Sequence, residues 1–301
     1  MTREVLNKTI VVKVGSDSIT KNGKPDEEVA RSIMQQIACL REHGYEVLLV
    51  TSGAVALGRA FFGLEKTPDE SIETKKSCAI QGQPEVMKLW RDCSPAGHGV
   101  GQILVDRQAL SHGQYDSKVI DDIGNTSGLY GTIQRFRELQ SSSKRRTTAV
   151  FNWNDPCHGE ELDKLGDNDD LAGLLAREFG NHISKKRHAD ALVLLTDVDG
   201  VRMQFDHPDS VIREIFAPDI HDINEYSDRF RRTDLVIGPT QDRHNGSGEI
   251  VTKIRVALHA ALHGTESTIA NAREERALER RIIERKLVGT VCRTHGRIRL
   301  P

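Results

Sequence analysis

No stretch of this sequence approaches the roughly 18 to 20 consecutive apolar residues that a membrane span needs. Its first residues, Met1-Thr2-Arg3-Glu4, lead into a short apolar run without the core of a signal peptide. A cytoplasmic protein with no membrane partner is the expectation. Cysteine is scarce: Cys39, Cys78, Cys93, Cys157 and Cys292 are odd in number, widely spaced and never C-x-x-C, which excludes a disulfide framework and a zinc knuckle and leaves reduced, mostly buried thiols. The twelve histidines form no H-E-x-x-H, so no metal-ligating residues are assigned. Neither charge sign dominates, since 42 Lys and Arg meet 44 Asp and Glu for a net charge of −2. A generally basic nucleic-acid binder is thereby excluded, because its affinity would rest on an excess of cations facing phosphates. Disorder is excluded too, with 37% hydrophobic against 29% charged residues. No internal repeat is visible. The run Ser141-Ser142-Ser143-Lys144-Arg145-Arg146 is the one biased segment, and it reads as a solvated basic loop.

What is present is an alternation of strands and helices over 301 residues, enough for one large α/β domain or two lobes sharing a sheet. Thr9 to Val14 is a short β-branched run stopped by Gly15, the signature of a buried parallel strand. Asp26 opens a helix carrying Val29, Ile33, Ile37 and Leu40 at helical spacing, which closes near Gly44. Val47 to Val50 is a second buried strand, and a strand-helix-strand unit of this length is a right-handed crossover that makes the two strands parallel neighbours. Further helices are expected from Ser52-Gly53, at Ile72 to Trp90, near Asn125 to Leu139, from Asp169 to about Phe179, and at Thr252 to His263. Further strands are expected at Gln102 to Val105, Thr148 to Phe151, Ala191 to Leu195, Val211 to Phe216, Ser267 to Ala270 and Gly289 to Cys292. The fold class is α/β with a doubly wound, mostly parallel sheet, and in such sheets ligands sit beyond the carboxyl ends of the strands.

Five segments at those ends carry chemistry. Lys13 stands in the last turn of an apolar strand, where an ammonium without an anion is costly, and Gly15 allows an anionic ligand to reach the backbone. Thr51-Ser52-Gly53-Ala54 turns into a helix whose first amides form an anion site. Asn152-Trp153-Asn154-Asp155 and Gly166-Asp167-Asn168-Asp169-Asp170 crowd acids and amides around one strand end. The calcium pattern D-x-[DN]-x-[DN]-G with a distal Glu is absent there and at Asp197-Val198-Asp199-Gly200, leaving a site that could hold an ammonium and a metal–phosphate group together. Leu195-Thr196-Asp197 is the fourth segment. The fifth, His244 to Lys253, is a glycine-containing loop running into a helix with Lys253 in its first turn. It fails the P-loop pattern, since no Gly precedes Lys253 and no Ser or Thr follows it.

Taken in order, Val11 to Ser16, Val50 to Arg59, Gln81-Gly82-Gln83, Asn152 to Asp155, Gly166 to Asp169, Leu194 to Asp197, Thr252-Lys253 and Thr268 to Asn271 resemble the amino acid kinase family, and specifically its glutamate 5-kinases, over about residues 9 to 292. The resemblance implies an αβα sandwich forming one kinase domain over residues 1–301, with an acceptor-binding lobe at about 1–185 and a nucleotide-binding lobe at about 186–301. It implies ATP-dependent phosphorylation of the side-chain carboxylate of glutamate, with ATP and Mg²⁺. Lys13, Asp169 and Lys253 would be catalytic, the aspartate holding both phosphate-binding lysines. Ser52, Gly53, Ala54, Asn154, Asp155 and Asn168 would bind the amino acid, with Asp155 on its ammonium. Gly15, Thr196, Asp197, Ser247, Gly248 and Thr252 would take the nucleotide. A homo-oligomer, dimer or tetramer, is implied, and a downstream acyl-phosphate reductase is a plausible partner because an acyl phosphate is labile in water.

The sequence also departs from the family pattern. Glu249 replaces the second of two glycines, Trp153 stands where Glu is common, and Asp170 stands where Asn or Ser is common. The segment between Arg107 and Asn152 is roughly fifteen residues longer than expected, and no PUA domain of the RNA-modification type is expected after Cys292. Two alternatives stay open: the same chemistry on another small acid in a specialised pathway, and a nucleotide- and amino-acid-binding regulator with weakened catalysis. Glu249 favours the regulator. The joint presence of Lys13, Asp169 and Lys253 opposes it, since mere binding does not require all three.

Overall fold

The computed structural model describes residues 8–21, 23–67, 69–106, 129–143, 146–157, 168–180, 188–202, 210–217 and 247–294. The first half supplies β1 (Lys8–Val14), α1 (Ser16–Ile19), the hairpin β2 (Thr20–Lys21) and β3 (Lys24–Pro25), α2 (Glu27–Glu42) and β4 (Tyr45–Thr51). It continues with α3 (Ala54–Phe62), α4 (Ile72–Asp92), β5 (His98–Val105), α5 (Leu129–Ser143), β6 (Arg146–Trp153) and a 3₁₀ turn at Asp155–Cys157. The second half supplies α6 (Asn168–Glu178), β7 (Ala191–Thr196), β8 (Glu214–Ala217), α7 (Ser247–Leu262), β9 (Glu266–Asn271), α8 (Ala277–Ile282) and β10 (Thr290–Thr294).

One eight-stranded sheet runs in the order β5-β6-β4-β1-β7-β9-β10-β8. Every pairing is parallel except β9 with β10. Within this sheet the first-half strands lie on one side of the β1/β7 seam and the second-half strands on the other, while β2 and β3 form a separate two-stranded sheet. β1 pairs with β4, as the crossover argument requires, and with β7, which brings Lys13 opposite Leu194. The seam is therefore the topological switch point, with its crevice at the carboxyl ends of β1 and β7.

The pleat decides which side chains face which helices. Ile10, Val12 and Val14 of β1 pack with α2, α4 and α8 on one face, while Val11 packs with α6 and α7 on the other. Lys13 shares the face of Val11 because successive strand side chains alternate. Helix α2 starts where the sequence places it: Asp26 Oδ1 accepts from the Val29 N–H at 3.2 Å, satisfying one of the orphan amides of the first turn. Helices α3 and α4 lie so close that a methyl group on Gly82 would sit 1.7 Å from the Ala54 carbonyl oxygen and one on Gly58 1.8 Å from that of Cys78. Those glycines are required by contact.

Three expectations need adjustment. Ser141 to Ser143 complete α5 and Arg146 begins β6, so these four residues belong to regular elements rather than to a loop, while Lys144 and Arg145 lie outside the described residues. Helix α7 begins at Ser247, five residues before the expected start. Ser247 and Gly248 therefore belong to its first turn rather than to a loop, and Lys253 falls in the second turn. Gly166, Asp167, residues 107–128 of the longer segment and His244 to Gly246 lie outside the described residues.

Candidate active site

The centre of the crevice is a three-charge cluster drawn from three distant parts of the chain. Lys13 Nζ lies 2.7 Å from Asp169 Oδ1, and Lys253 Nζ lies 3.2 Å from Asp169 Oδ2. The aspartate side chain is fully buried and each lysine side chain is 5% exposed. Each position follows from its element: the end of β1 for Lys13, the first turn of α6 for Asp169, the second turn of α7 for Lys253. Burial alone would push the Asp169 carboxyl up, but the charges and hydrogen bonds of Lys13 and Lys253 outweigh it and hold its pKa below the ordinary 3.8. Asp169 thus bridges two buried ammonium groups brought together from distant parts of the chain.

Gly15 lies beside this cluster. Its φ of −71° is one any residue adopts, and a methyl group there would make ordinary contacts, 3.8 Å from the Leu195 carbonyl oxygen and 4.0 Å from Lys13 Nζ. Among the described residues nothing in the packing demands a glycine here. Gly53 is different. It caps α3 with φ at +102°, and a methyl group there would approach Ile19 Cδ1 to 3.2 Å. That turn leads from the carboxyl end of β4 into α3, whose N-terminal amides have no side-chain cap.

Ser52 and Asn168, 116 residues apart, meet: the Asn168 amide donates to Ser52 Oγ at 3.1 Å. The Asn168 Oδ1 is buried and, among the described residues, has no hydrogen-bond partner. The same holds for Ser18 Oγ, which lies 3.8 Å from the position a Gly15 methyl group would take. Buried polar atoms of native proteins are almost always paired, so these two point to a polar ligand. Ser18 was not singled out from the sequence, because a serine in a one-turn helix carries no pattern.

Asn154 and Asp155 follow the end of β6. The Asn154 N–H donates to the Val105 carbonyl at 2.8 Å, and the Gln83 amide of α4 donates to the Trp153 carbonyl at 3.2 Å. Gln83 in turn accepts from Gln102 at 3.3 Å. Trp153 itself is buried among apolar side chains of the α6/α7 face. Burial raises the Asp155 pKa from 3.8 to about 6. At roughly 1.36 kcal/mol per pH unit, its ionised form lies about 3 kcal/mol above that of a solvated carboxylate, a debt that a cation beside it would cancel.

On the other side of the seam, Thr196 Oγ1 donates to Asp197 Oδ1 at 3.1 Å, Thr196 buried and Asp197 exposed. The Asn271 amide donates to the Asp197 carbonyl at 3.5 Å and to Asp199 Oδ1 at 2.7 Å. Thr252, half-buried, immediately precedes Lys253 on α7. Asp170 forms an ion pair with Arg255 of α7 at 2.7 Å, so its acidic side chain is used in holding the two helices together. Among the described residues no group of three or more His, Cys, Asp or Glu could hold a metal ion, and no helix is long and apolar enough to cross a membrane. Cys78, Cys93 and Cys292 are buried free thiols, and burial raises the pKa of Cys292 to about 12.

The family model described as the amino acid kinase family matches residues 8–271. The glutamate 5-kinase of Nostoc sp. (strain PCC 7120) is 32% identical over 292 residues, covering 96% of this chain and 68% of that protein. The glutamate 5-kinase of Streptococcus suis is 31% identical over 272 residues, covering 90% of this chain and 66% of that protein. The chain thus spans about two thirds of the length of these curated relatives. Among solved structures, N-acetylglutamate synthase from Neisseria gonorrhoeae aligns with a TM-score of 0.58 at 16% identity, over 96% of this chain and 60% of that one. Isopentenyl phosphate kinase from T. acidophilum aligns with a TM-score of 0.55 at 16% identity, over 95% and 100%. At that identity the two structures speak to the fold, and they share the sheet and flanking helices found here. A match over most of the length and relatives at about 30% identity, on a fold of this kind, mean that the chain belongs to the amino acid kinase family.

Proposed function

We propose that the protein is an ATP-dependent kinase that phosphorylates the side-chain carboxylate of glutamate, giving an acyl phosphate and ADP. The buried Lys13–Asp169–Lys253 cluster carries this reading, because it sets two ammonium groups, held by one carboxylate, at the crevice where two anions must be brought together. A carboxylate with an ordinary pKa of about 4.3 is already ionised at neutral pH, so its attack on a γ-phosphoryl group needs no general base. The barrier to lower is the repulsion between nucleophile and phosphate. Lys13 and Lys253 would neutralise the oxygens of the transferring group, and Asp169, anchored at the start of α6, would keep both ammonium groups in place without reorganisation. Gly15 lets the phosphates approach Lys13. The first turn of α7, with Ser247, Gly248 and then Thr252, supplies amides toward the nucleotide, and Thr196 and Asp197 flank it from β7. Magnesium would be carried on the nucleotide's own phosphates and offset their charge, since among the described residues no group of three or more His, Cys, Asp or Glu could hold it.

The acceptor side is argued from Asp155 and Asn168. A raised carboxylate and an unpaired amide oxygen both gain from an N–H donor, and an α-ammonium group supplies three. Ser52, Gly53, Ala54 and Asn154 complete the walls of that half of the crevice. The division into an acceptor-binding lobe before about residue 185 and a nucleotide-binding lobe after it is supported by the separation of strands across the β1/β7 seam. A labile acyl phosphate needs prompt consumption, so an acyl-phosphate reductase would be a natural partner.

The test is to supply Mg²⁺, ATP and a panel of acids, and to trap the product as a hydroxamate. Glutamate should give hydroxamate and ADP in equal amounts, and glutarate, which lacks the ammonium, should be a poor substrate. Hydroxamate from another amino acid but not from glutamate would assign the site to that acid. ATP binding with no transfer to any acid would favour the regulator.

A further inference from the structure

Arg273 lies two residues beyond β9, and its guanidinium donates to Asp26 Oδ2 at 2.7 Å. The partners are 247 residues apart and belong to opposite sides of the seam. Asp26 stands where several elements meet. Its Oδ1 begins α2, and its own N–H donates to the Ile19 carbonyl at 2.8 Å, fastening the end of α1. Ile19 in turn lies beneath Gly53. On the far side, the Arg273 N–H donates to Asn271 Oδ1 at 2.9 Å, the Ala272 N–H donates to the Thr196 carbonyl at 2.7 Å, and Asn271 holds Asp199. One ion pair therefore joins the turn beside Lys13 to the loop that carries Thr196 and Asp197.

Close packing does not force this contact. The pair lines an open groove of about 390 Å³ together with Lys21, Lys24 and Glu27. Arg273 is 45% exposed, whereas Asp26 is 9% exposed. A long side chain that reaches across open space to a nearly buried carboxylate is placed by that carboxylate.

We propose that Asp26 and Arg273 are positioning residues: their ion pair clamps the loop at 271–273 and thereby sets Thr196 and Asp197 against the nucleotide. The clamp rests on the assignment of that edge of the crevice to ATP, and not on the identity of the acid acceptor. Arg273→Gln removes the charge. Asp26→Asn weakens the pair while keeping an N-cap residue of nearly equal quality, so α2 should still form. MgADP affinity, measured by calorimetry on the full chain, should fall three- to fivefold in each variant, and KM for ATP should rise equally. KM for the acid and the melting temperature should stay near wild type. The double variant should be no worse than either single one, because both remove the same interaction. Wild-type MgADP affinity in either single variant, a loss of thermal stability alone, or effects that multiply in the double variant would each overturn the clamp. A wild type that binds MgADP but phosphorylates no acid would overturn the proposed reaction and leave the clamp standing on the affinity data. A wild type that binds no MgADP would overturn both.

Discussion

Replacing Asp169 with Asn keeps the shape of the side chain and removes the negative charge that bridges Lys13 and Lys253. In the native protein that carboxylate lies 2.7 and 3.2 Å from two ammonium groups whose side chains are 95% buried. Without it, two like charges face each other out of water. Removing one partner of a buried ion pair commonly costs about 3–5 kcal/mol, a large part of the roughly 5–15 kcal/mol by which domains are stable. An unfolding entropy of about 2.1 cal/mol/K per residue over 301 residues amounts to about 0.63 kcal/mol/K, so the melting temperature should drop by roughly 5–8 °C. The nucleotide should behave in the opposite sense, because its phosphates bring negative charge to the lysines that lost theirs. Thermal melts with and without MgADP should show a larger ligand-induced rise in the variant than in the wild type. Turnover should fall by orders of magnitude, since correctly placed ammonium groups and not mere affinity lower the barrier. Unchanged stability, or a collapse of MgADP affinity with turnover preserved, would refute the view of Asp169 as organiser of the two lysines. The acid limb offers a second check. A carboxyl held below its ordinary 3.8 stabilises the fold above that pH, and this contribution is lost as the pH falls through the lower native value, so the wild type but not the variant should lose it in that range.

Lys13→Ala and Lys253→Ala should each lower turnover by about 10²- to 10³-fold, as expected for one transition-state contact worth ~3 kcal/mol; ADP release near the wild-type rate would remove that lysine from the mechanism. Asp155→Asn should raise KM for glutamate at least tenfold while leaving KM for ATP nearly unchanged, and wild-type KM for glutamate should rise as the pH drops below about 6 and Asp155 takes up a proton. For stability the sign is reversed. A carboxyl raised from 3.8 to about 6 contributes stability that is present below 3.8 and lost as the pH climbs through 6, so Asp155→Asn should be the more stable protein at pH 7, by at most about 3 kcal/mol, in urea unfolding. Gly15→Ala meets only ordinary protein contacts, so its melting temperature should match wild type; KM for ATP should still rise at least fivefold, and an unchanged KM would mean that no phosphate passes beside Lys13.

The sequence by itself determined the elements and the residue types at their ends. The β-branched runs of β1, β4 and β7, the helical spacing after Asp26 and the glycines that stop strands are local signals, because a strand needs period 2, a helix needs period 3.6, and an N-cap needs one side-chain oxygen. Lys13 stood out for the same reason: a lysine inside an apolar run is visible without a fold. The start of α7 was not legible, since Gly246 and Gly248 read locally as loop while the apolar face from Ile254 onward packs against the sheet and carries the helix back to Ser247. Tertiary structure alone decided the rest. Which face of β1 Lys13 occupies depends on the pleat and on α6 and α7 covering that face, and residues 13, 169 and 253 meet only because β1 and β7 are neighbours in the sheet. Asp26 announced itself as a helix cap, but nothing near it in the sequence names Arg273, 247 residues away. Burial, which raises the pKa of Asp155 and leaves Ser18 Oγ and Asn168 Oδ1 without a partner among the described residues, is likewise a property of packed layers, because the water each side chain loses is displaced by segments remote from it in the chain.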